Sequence, residues 1–150
     1  MSLTLYLSGE IHTDWRDKII AGCQGMDVRF SAPVTDHDAS DDCGVTIMGD
    51  EPNKFWHDHK GAKLNAIRTR KAIADADIVV VRFGEKYKQW NAAFDAGYAA
   101  ALGKSLIVMH GADHQHALKE VDAAALAVVE TPAQIVEILT YVLDGTLEAK

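Results

Sequence analysis

Residues 77–110 read DIVVVRFGEKYKQWNAAFDAGYAAALGKSLIVMH, and this order of segments restricts the fold more than any other part of the chain. Ile78, Val79, Val80 and Val81 form an unbroken β-branched run, the pattern of a strand buried on both faces. A polar loop follows, then an alanine-rich helical segment, then Gly103-Lys104 and a second apolar run over residues 106–109. Two buried strands around a helix predict a βαβ unit, closed by a right-handed crossover in a parallel sheet. Inside that helix stands Asp95, flanked by Ala92, Ala93 and Phe94 before it and Ala96 and Gly97 after it. Aspartate is a weak helix-interior residue. Helical spacing puts it in one stripe with Asn91, Tyr98 and Leu102, apart from both the charged and the apolar faces.

The rest of the chain extends the same alternation. Residues 3–8 (LTLYLS) predict the first strand, with Leu3, Leu5 and Leu7 on one face, Tyr6 and Ser8 on the other, and Gly9 at its end. Thr13 or Asp14 is placed to cap a helix that runs through Trp15, Ile19, Ile20 and Cys23 and stops at Gly25. Residues 27–31 predict a second strand. Over residues 32–61 the periodicity disappears. That stretch holds Asp36, His37, Asp38, Asp41, Asp42, Pro52 and the pair Phe55-Trp56, and is expected to be a functional loop that folds back and packs. Residues 62–76 predict a helix with Leu64, Ile67 and Ala74 inward and Lys63, Arg68, Arg70 and Lys71 outward.

Beyond the central unit come a short helix near residues 117–124, a fifth strand at 126–129 and a helix opened by Thr131-Pro132. Ile135, Ile138, Leu139, Val142 and Leu143 give this helix one apolar face, and Gly145 ends it. The tail from Thr146 is expected to be loose or to serve assembly. The expected fold is α/β: a three-layer, doubly wound, flavodoxin-like sandwich, a single domain over residues 1–150. Its five-stranded parallel sheet is expected in the order 2-1-3-4-5. Ligands of such sheets sit beyond the carboxyl ends of the strands, at the switch between strands 1 and 3. That rule selects the loops after Ser8, Ser31, Arg82 and His110.

A net charge of −7 with no run of Lys or Arg argues against a nucleic-acid partner. No apolar stretch approaches a membrane span, and Met1-Ser2 passes directly into a strand rather than a signal peptide. Cys23 and Cys43 are too few for a disulfide framework, so a reduced, cytoplasmic setting is expected. No G-x-G-x-x-G follows the first strand, no Walker-type lysine loop is present, and no serine or cysteine occupies a nucleophile elbow. A phospho-acceptor site needs an acidic pair after strand 1 and an aspartate ending strand 3, whereas Asp77 opens its strand. His37, His57, His59, His114 and His116 lack the spacing of a common metal site, and no metal or other cofactor is expected. A hard divalent ion at Asp36, Asp38 and Asp41, serving a metal-dependent hydrolase, is the alternative left open.

At the level of motifs, L-Y-L-S-G on strand 1, the Ala-Asp pair opening strand 3 and D-A-G-Y-A-A-A-L-G-K resemble nucleoside 2-deoxyribosyltransferases and their nucleoside-phosphate hydrolase relatives. More closely, L-S-G-E-I-H-T-D-W-R and F-G-E-K-Y-K-Q-W-N look like the bacterial YtoQ family, over nearly the whole chain. The resemblance implies an enzyme of the N-glycosidic bond, with Asp95 of D-A-G-Y-A as the nucleophile at C1′ of the sugar. It implies that Tyr6 hydrogen-bonds this carboxylate and that Gly9 lets substrate approach the backbone. The residue six before the nucleophile, an aspartate or phosphate-binding serine in relatives, is Gln89. An acid expected before strand 3 falls on Thr69. Aspartate also stands where the family has glutamate, which moves the attacking oxygen by ~1.5 Å.

Under this mechanism Glu10, Asp36 or Glu85 would protonate the departing base, and Trp15, Tyr87 or Trp90 would stack on it. Ser8, Gly9, Asp36, Gln89, Asn91 and Tyr98 are expected substrate contacts. Lys86 and Lys88 would add charge for a phosphate at the helix N-terminus. The partner is a small-molecule nucleoside or nucleotide, with the chain expected as a homodimer or higher homo-oligomer. A non-catalytic nucleotide-binding or sensing module is the competing class, which the changes at Gln89 and Thr69 favour.

Overall fold

The computed structural model describes residues 1–145. Twelve elements follow in order: β1 (Leu3–Gly9), α1 (Trp15–Gly22), β2 (Val28–Ser31), α2 (His37–Met48), α3 (Lys54–Asp75), β3 (Ile78–Arg82), α4 (Trp90–Ala101), β4 (Ser105–Met109), a 3-10 turn (Ala112–His114), α5 (Lys119–Ala123), β5 (Ala127–Val129) and α6 (Pro132–Asp144). The strands pair in parallel in the order β2-β1-β3-β4-β5, the expected α/β arrangement. Among the described residues no helix is long and apolar enough to cross a membrane.

Side-chain alternation sorts the core into two layers, one on each face of the sheet. Leu3, Leu5, Leu7, Val80 and Met109 face α1 and α6, where Trp15, Ile19, Ile135 and Leu139 complete the layer. Tyr6, Val79, Val81, Leu106 and Val108 face the other way, against Ile73 of α3 and Ala92, Ala96 and Ala99 of α4. The three alanines carry no bulk, so α4 lies close to the sheet. Helix α6 starts with a complete capping box, in which Gln134 N–H donates to Thr131 Oγ1 and the Gln134 side chain accepts from Thr131 N–H.

Residues 32–61 are where the structure departs most from expectation. They form no long loop. Asp36 caps α2 by accepting from Ala39 N–H at 2.8 Å, and Asn53 caps α3, which begins eight residues before the predicted start at Ala62. Helix α2 packs on α3 rather than on the sheet, and its contact runs through glycine. A Cβ at Gly44 would strike the backbone of Lys60 and Gly61, and one at Gly61 would meet Asp41 O at 2.7 Å. A helix that buries one glycine shows no apolar stripe, which is why the sequence lost its period there. Phe55 and Trp56 do not fold inward; they lie 58% and 52% exposed, against each other and His59. On α3, Ile67 and Ala74 are exposed and Ile73 carries the burial. On α6, Val142 is exposed while Ile135 and Leu139 are fully buried. The tail from Thr146 lies outside the described residues.

Candidate active site

Strand β1 ends in a turn that its own residues hold rigidly. Gly9 has φ 108°, and a Cβ there would collide with the Arg82 carbonyl of β3, so both backbone and packing require glycine. Arg16 of α1, almost fully buried, donates to the carbonyls of Leu7 (2.9 Å), Glu10 (2.6 Å) and Gly9 (3.1 Å). These carbonyls lie where the sheet runs out, and the guanidinium fork replaces the missing partners. Burial lowers the Arg16 pKa to about 10, which leaves it cationic near neutrality. The end of β1 is thereby fixed before any ligand arrives.

Above that end lies an open cleft of about 980 Å³, walled by β1, α3, α4 and the loops after β1, β2 and β3. Its size suits a small-molecule ligand. Tyr6, Ser8 and Gly9 contribute from β1, and Asn91, Asp95 and Tyr98 from α4. The α4 stripe therefore faces the cleft, except that Leu102 lies beyond it. Asp95 is half-buried, and Ser8 Oγ, with no solvent exposure, donates to Asp95 Oδ2 at 2.6 Å. Burial pushes the Asp95 carboxyl above the ordinary aspartate range, and the Ser8 hydrogen bond acts against that rise.

Tyr6 does not hold the carboxylate as the resemblance implied. Its phenol lies near Thr69 of α3 and feels Asp95 as a nearby charge. Burial is the main cause of its raised pKa; Thr69, Arg16 and Arg68 oppose the rise. Tyr6 and Ser8 share a face of β1, but Ser8, one pleat nearer the strand end, meets the aspartate of α4.

Five expected participants do not line the cleft. Glu10 is 5% exposed and is consumed in the turn, accepting from His12 N–H (2.7 Å) and Thr13 Oγ1 (2.8 Å), with Arg82 Nε at 3.4 Å. Glu85 points toward His114, 3.5 Å from its Nε2. Asp36 is the α2 cap. Lys86 lies over the Tyr87 ring at 5.2 Å. Trp15, expected to stack on a base, is buried in the layer under α1 and donates from Nε1 to Glu10 O. Lys88, Gln89, Tyr87 and Trp90 do line the cleft. Gln89 Oε1 accepts from Gly84 N–H at 3.0 Å and so ties down the loop before α4, leaving its NH₂ group as a donor.

The acidic stretch is likewise committed within the fold: His37 lies between Asp38 and Asp41, and His57 pairs with Asp42. Among the described residues, no group of three or more His, Cys, Asp or Glu is arranged to hold a metal ion. The structure also adds side chains that sequence reasoning passed over. His12, set against the Tyr87 ring at 4.7 Å, lines the cleft, as do Asn65, Arg68, Thr69 and Phe94. The sole signal for Thr69 was its place where the family keeps an acid; His12 had only its place in the L-S-G-E-I-H-T-D-W-R motif after the first strand.

Comparison with known proteins agrees with this architecture. The family model described as nucleoside 2-deoxyribosyltransferase YtoQ matches residues 6–143. The uncharacterized protein YtoQ of Bacillus subtilis (strain 168) is 41% identical over 146 residues, covering 96% of this chain and 99% of that protein. Among solved structures, a 2-deoxyribosyltransferase from Bacillus psychrosaccharolyticus superposes with a TM-score of 0.55 at 13% identity, over 89% of this chain and 90% of that one. The CMP N-glycosidase BcmB of Clostridium botulinum gives a TM-score of 0.52 at 12% identity, over 93% and 99%. At such identities the structures share the fold. The sequence matches go further: the chain belongs to the nucleoside 2-deoxyribosyltransferase YtoQ family.

Proposed function

We propose that the chain cleaves or exchanges the N-glycosidic bond of a nucleoside or nucleoside monophosphate, with Asp95 as the nucleophile. The observation that carries this reading is a half-buried carboxylate on the cleft wall, held by one oxygen through the Ser8 hydroxyl. The other oxygen, Oδ1, attacks C1′, and the electron pair of the C1′–N bond leaves with the base. Base departure needs a proton at the base nitrogen. With Glu10, Asp36 and Glu85 engaged outside the cleft lining, the His12 ring supplies it. Water then adds at C1′, breaks the C1′–Oδ1 ester and returns a proton to His12; a second base in place of water gives transfer. Tyr87 and Trp90 offer faces for the base, and Lys88, Arg68 and the α4 N-terminus favour an anionic sugar phosphate.

A second reading, a binding module without turnover, draws support from Thr69 and Gln89, neither of which can act as an acid. Incubation with a panel of nucleosides and monophosphates, followed by chromatography for free base, separates the two. Base release lost in Asp95→Asn, together with a covalent adduct on Asp95 from a 2-fluoro sugar analogue, supports the enzyme. Tight ligand binding without turnover, unchanged in Asp95→Asn, selects the module.

A further inference from the structure

We infer that Ser8, and not Tyr6, is the positioning residue of Asp95. The inference rests on the reading of Asp95 as nucleophile and names what orients it.

Alternate residues of a strand stand on one face, about 6.6 Å apart along the chain. Tyr6 and Ser8 are such a pair, so both present a hydroxyl toward α3 and α4. They differ in reach, because the phenol extends a full ring from the backbone and the serine hydroxyl a single carbon. Helix α4 lies close to the sheet on Ala92, Ala96 and Ala99, all buried. From that close helix a short aspartate needs a short donor. Ser8 Oγ, fully buried, meets Asp95 Oδ2 at 2.6 Å, the separation of a charge-assisted O–H···O bond. An aspartate has two side-chain torsions, and this bond restrains them through Oδ2, with no hydrogen bond to Oδ1 among the described residues.

The phenol is accounted for elsewhere. Thr69 and Arg68 of α3 and Arg16 of α1 all act on Tyr6, whereas the hydrogen bond to Asp95 comes from Ser8. The shortened nucleophile and the strand serine therefore form one consistent set. The same bond favours the ionised carboxylate against the effect of burial. The other titratable or charged groups around this wall are Tyr6 on β1, His12 in the loop after it, Arg16 on α1, Arg68 on α3, Lys88 in the loop before α4 and Tyr98 on α4 itself.

The test compares wild type with Ser8→Ala, Ser8→Thr and Tyr6→Phe, using the panel substrate that wild type turns over. Ser8→Ala is expected to lose about 100-fold in kcat, the effect of a misplaced reacting group, with little change in KM. The acid limb of its pH profile should move to higher pH. Ser8→Thr, which keeps the hydroxyl, should recover most of the rate, and Tyr6→Phe should cost markedly less in kcat than Ser8→Ala. A Ser8→Ala enzyme of nearly wild-type kcat with an unmoved acid limb overturns the inference, as does a kcat loss in Tyr6→Phe equal to or larger than that in Ser8→Ala. If wild type releases no base from any substrate, the nucleophile reading fails by itself. The Ser8 bond is then judged by carbon-13 NMR titration of the Asp95 carboxyl: a midpoint higher in Ser8→Ala than in wild type upholds it, and an unchanged midpoint overturns it.

Discussion

Ser8 Oγ and Asp95 Oδ2 are 2.6 Å apart across the junction of strand β1 and helix α4, and they are the shortest tie between the sheet and the wall of the cleft that α4 provides. The bond does not fully offset burial, which holds the Asp95 pKa above the ordinary aspartate range. A carboxyl whose pKa is raised on folding binds its proton more tightly in the folded state. Stability then falls as pH rises from the unfolded value of about 3.9 through the folded pKa, and the loss is complete above it. Asp95→Asn removes this charge and keeps an acceptor for Ser8. It is expected to melt higher than wild type at pH 7, by a few degrees, with the gap closing as pH approaches about 4. Thermal denaturation across that range is the check. A variant that melts lower at every pH contradicts it.

Arg16 carries a different load. Its three hydrogen bonds go to carbonyls at the end of β1, and removing the side chain leaves them buried without partners. Arg16→Ala is expected to cost about 3 kcal/mol or more, and Arg16→Lys to recover only part, since an ammonium cannot reproduce the planar fork. Urea denaturation measures the loss. Because Ser8 and Gly9 lie in the same turn, ligand affinity should weaken in whatever Arg16→Lys protein remains folded.

His12 is expected to matter in proportion to the leaving group. His12→Ala should lower release of a natural base by about 100-fold, the usual range for general acid catalysis. A sugar bearing p-nitrophenolate departs without a proton and should be cleaved nearly as fast by the variant as by wild type. Equal losses on both substrates would remove His12 from the proton-transfer step and leave it a binding residue.

Trp90 and Phe94, one helical turn apart on α4, are 76% and 63% exposed, and Ile67 of α3 is 67% exposed along the same cleft. Apolar surface of this kind at a cleft mouth marks an interaction site or a ligand groove, and we propose that here a second copy of the chain covers it. The protein is expected to sediment as a homodimer or higher oligomer, and Trp90→Glu with Phe94→Glu should shift it to monomer while leaving the melting curve cooperative. Monomeric wild type at micromolar concentration would refute the assignment.

The sequence by itself determined the parts of this protein that depend on local pattern. Unbroken apolar runs located β3 and β4, the period of two put Tyr6 and Ser8 of β1 on one face, and the period of 3.6 put Asn91, Asp95 and Tyr98 on the stripe that lines the cleft. Thr131-Pro132 marked a helix start by chemistry local to one turn. Tertiary structure decided what no window of sequence contains. Helix α2 has no apolar stripe because it rests on another helix through glycine, so its period could not announce it. Glu10 reads as an acid beside the site, yet Thr13, Arg82 and the His12 amide claim it. Whether Tyr6 or Ser8 reaches Asp95 depends on how closely α4 stands over β1. That distance is set by three alanines acting together in the packed core, and periodicity reports which face a side chain occupies but not how far away its partner lies.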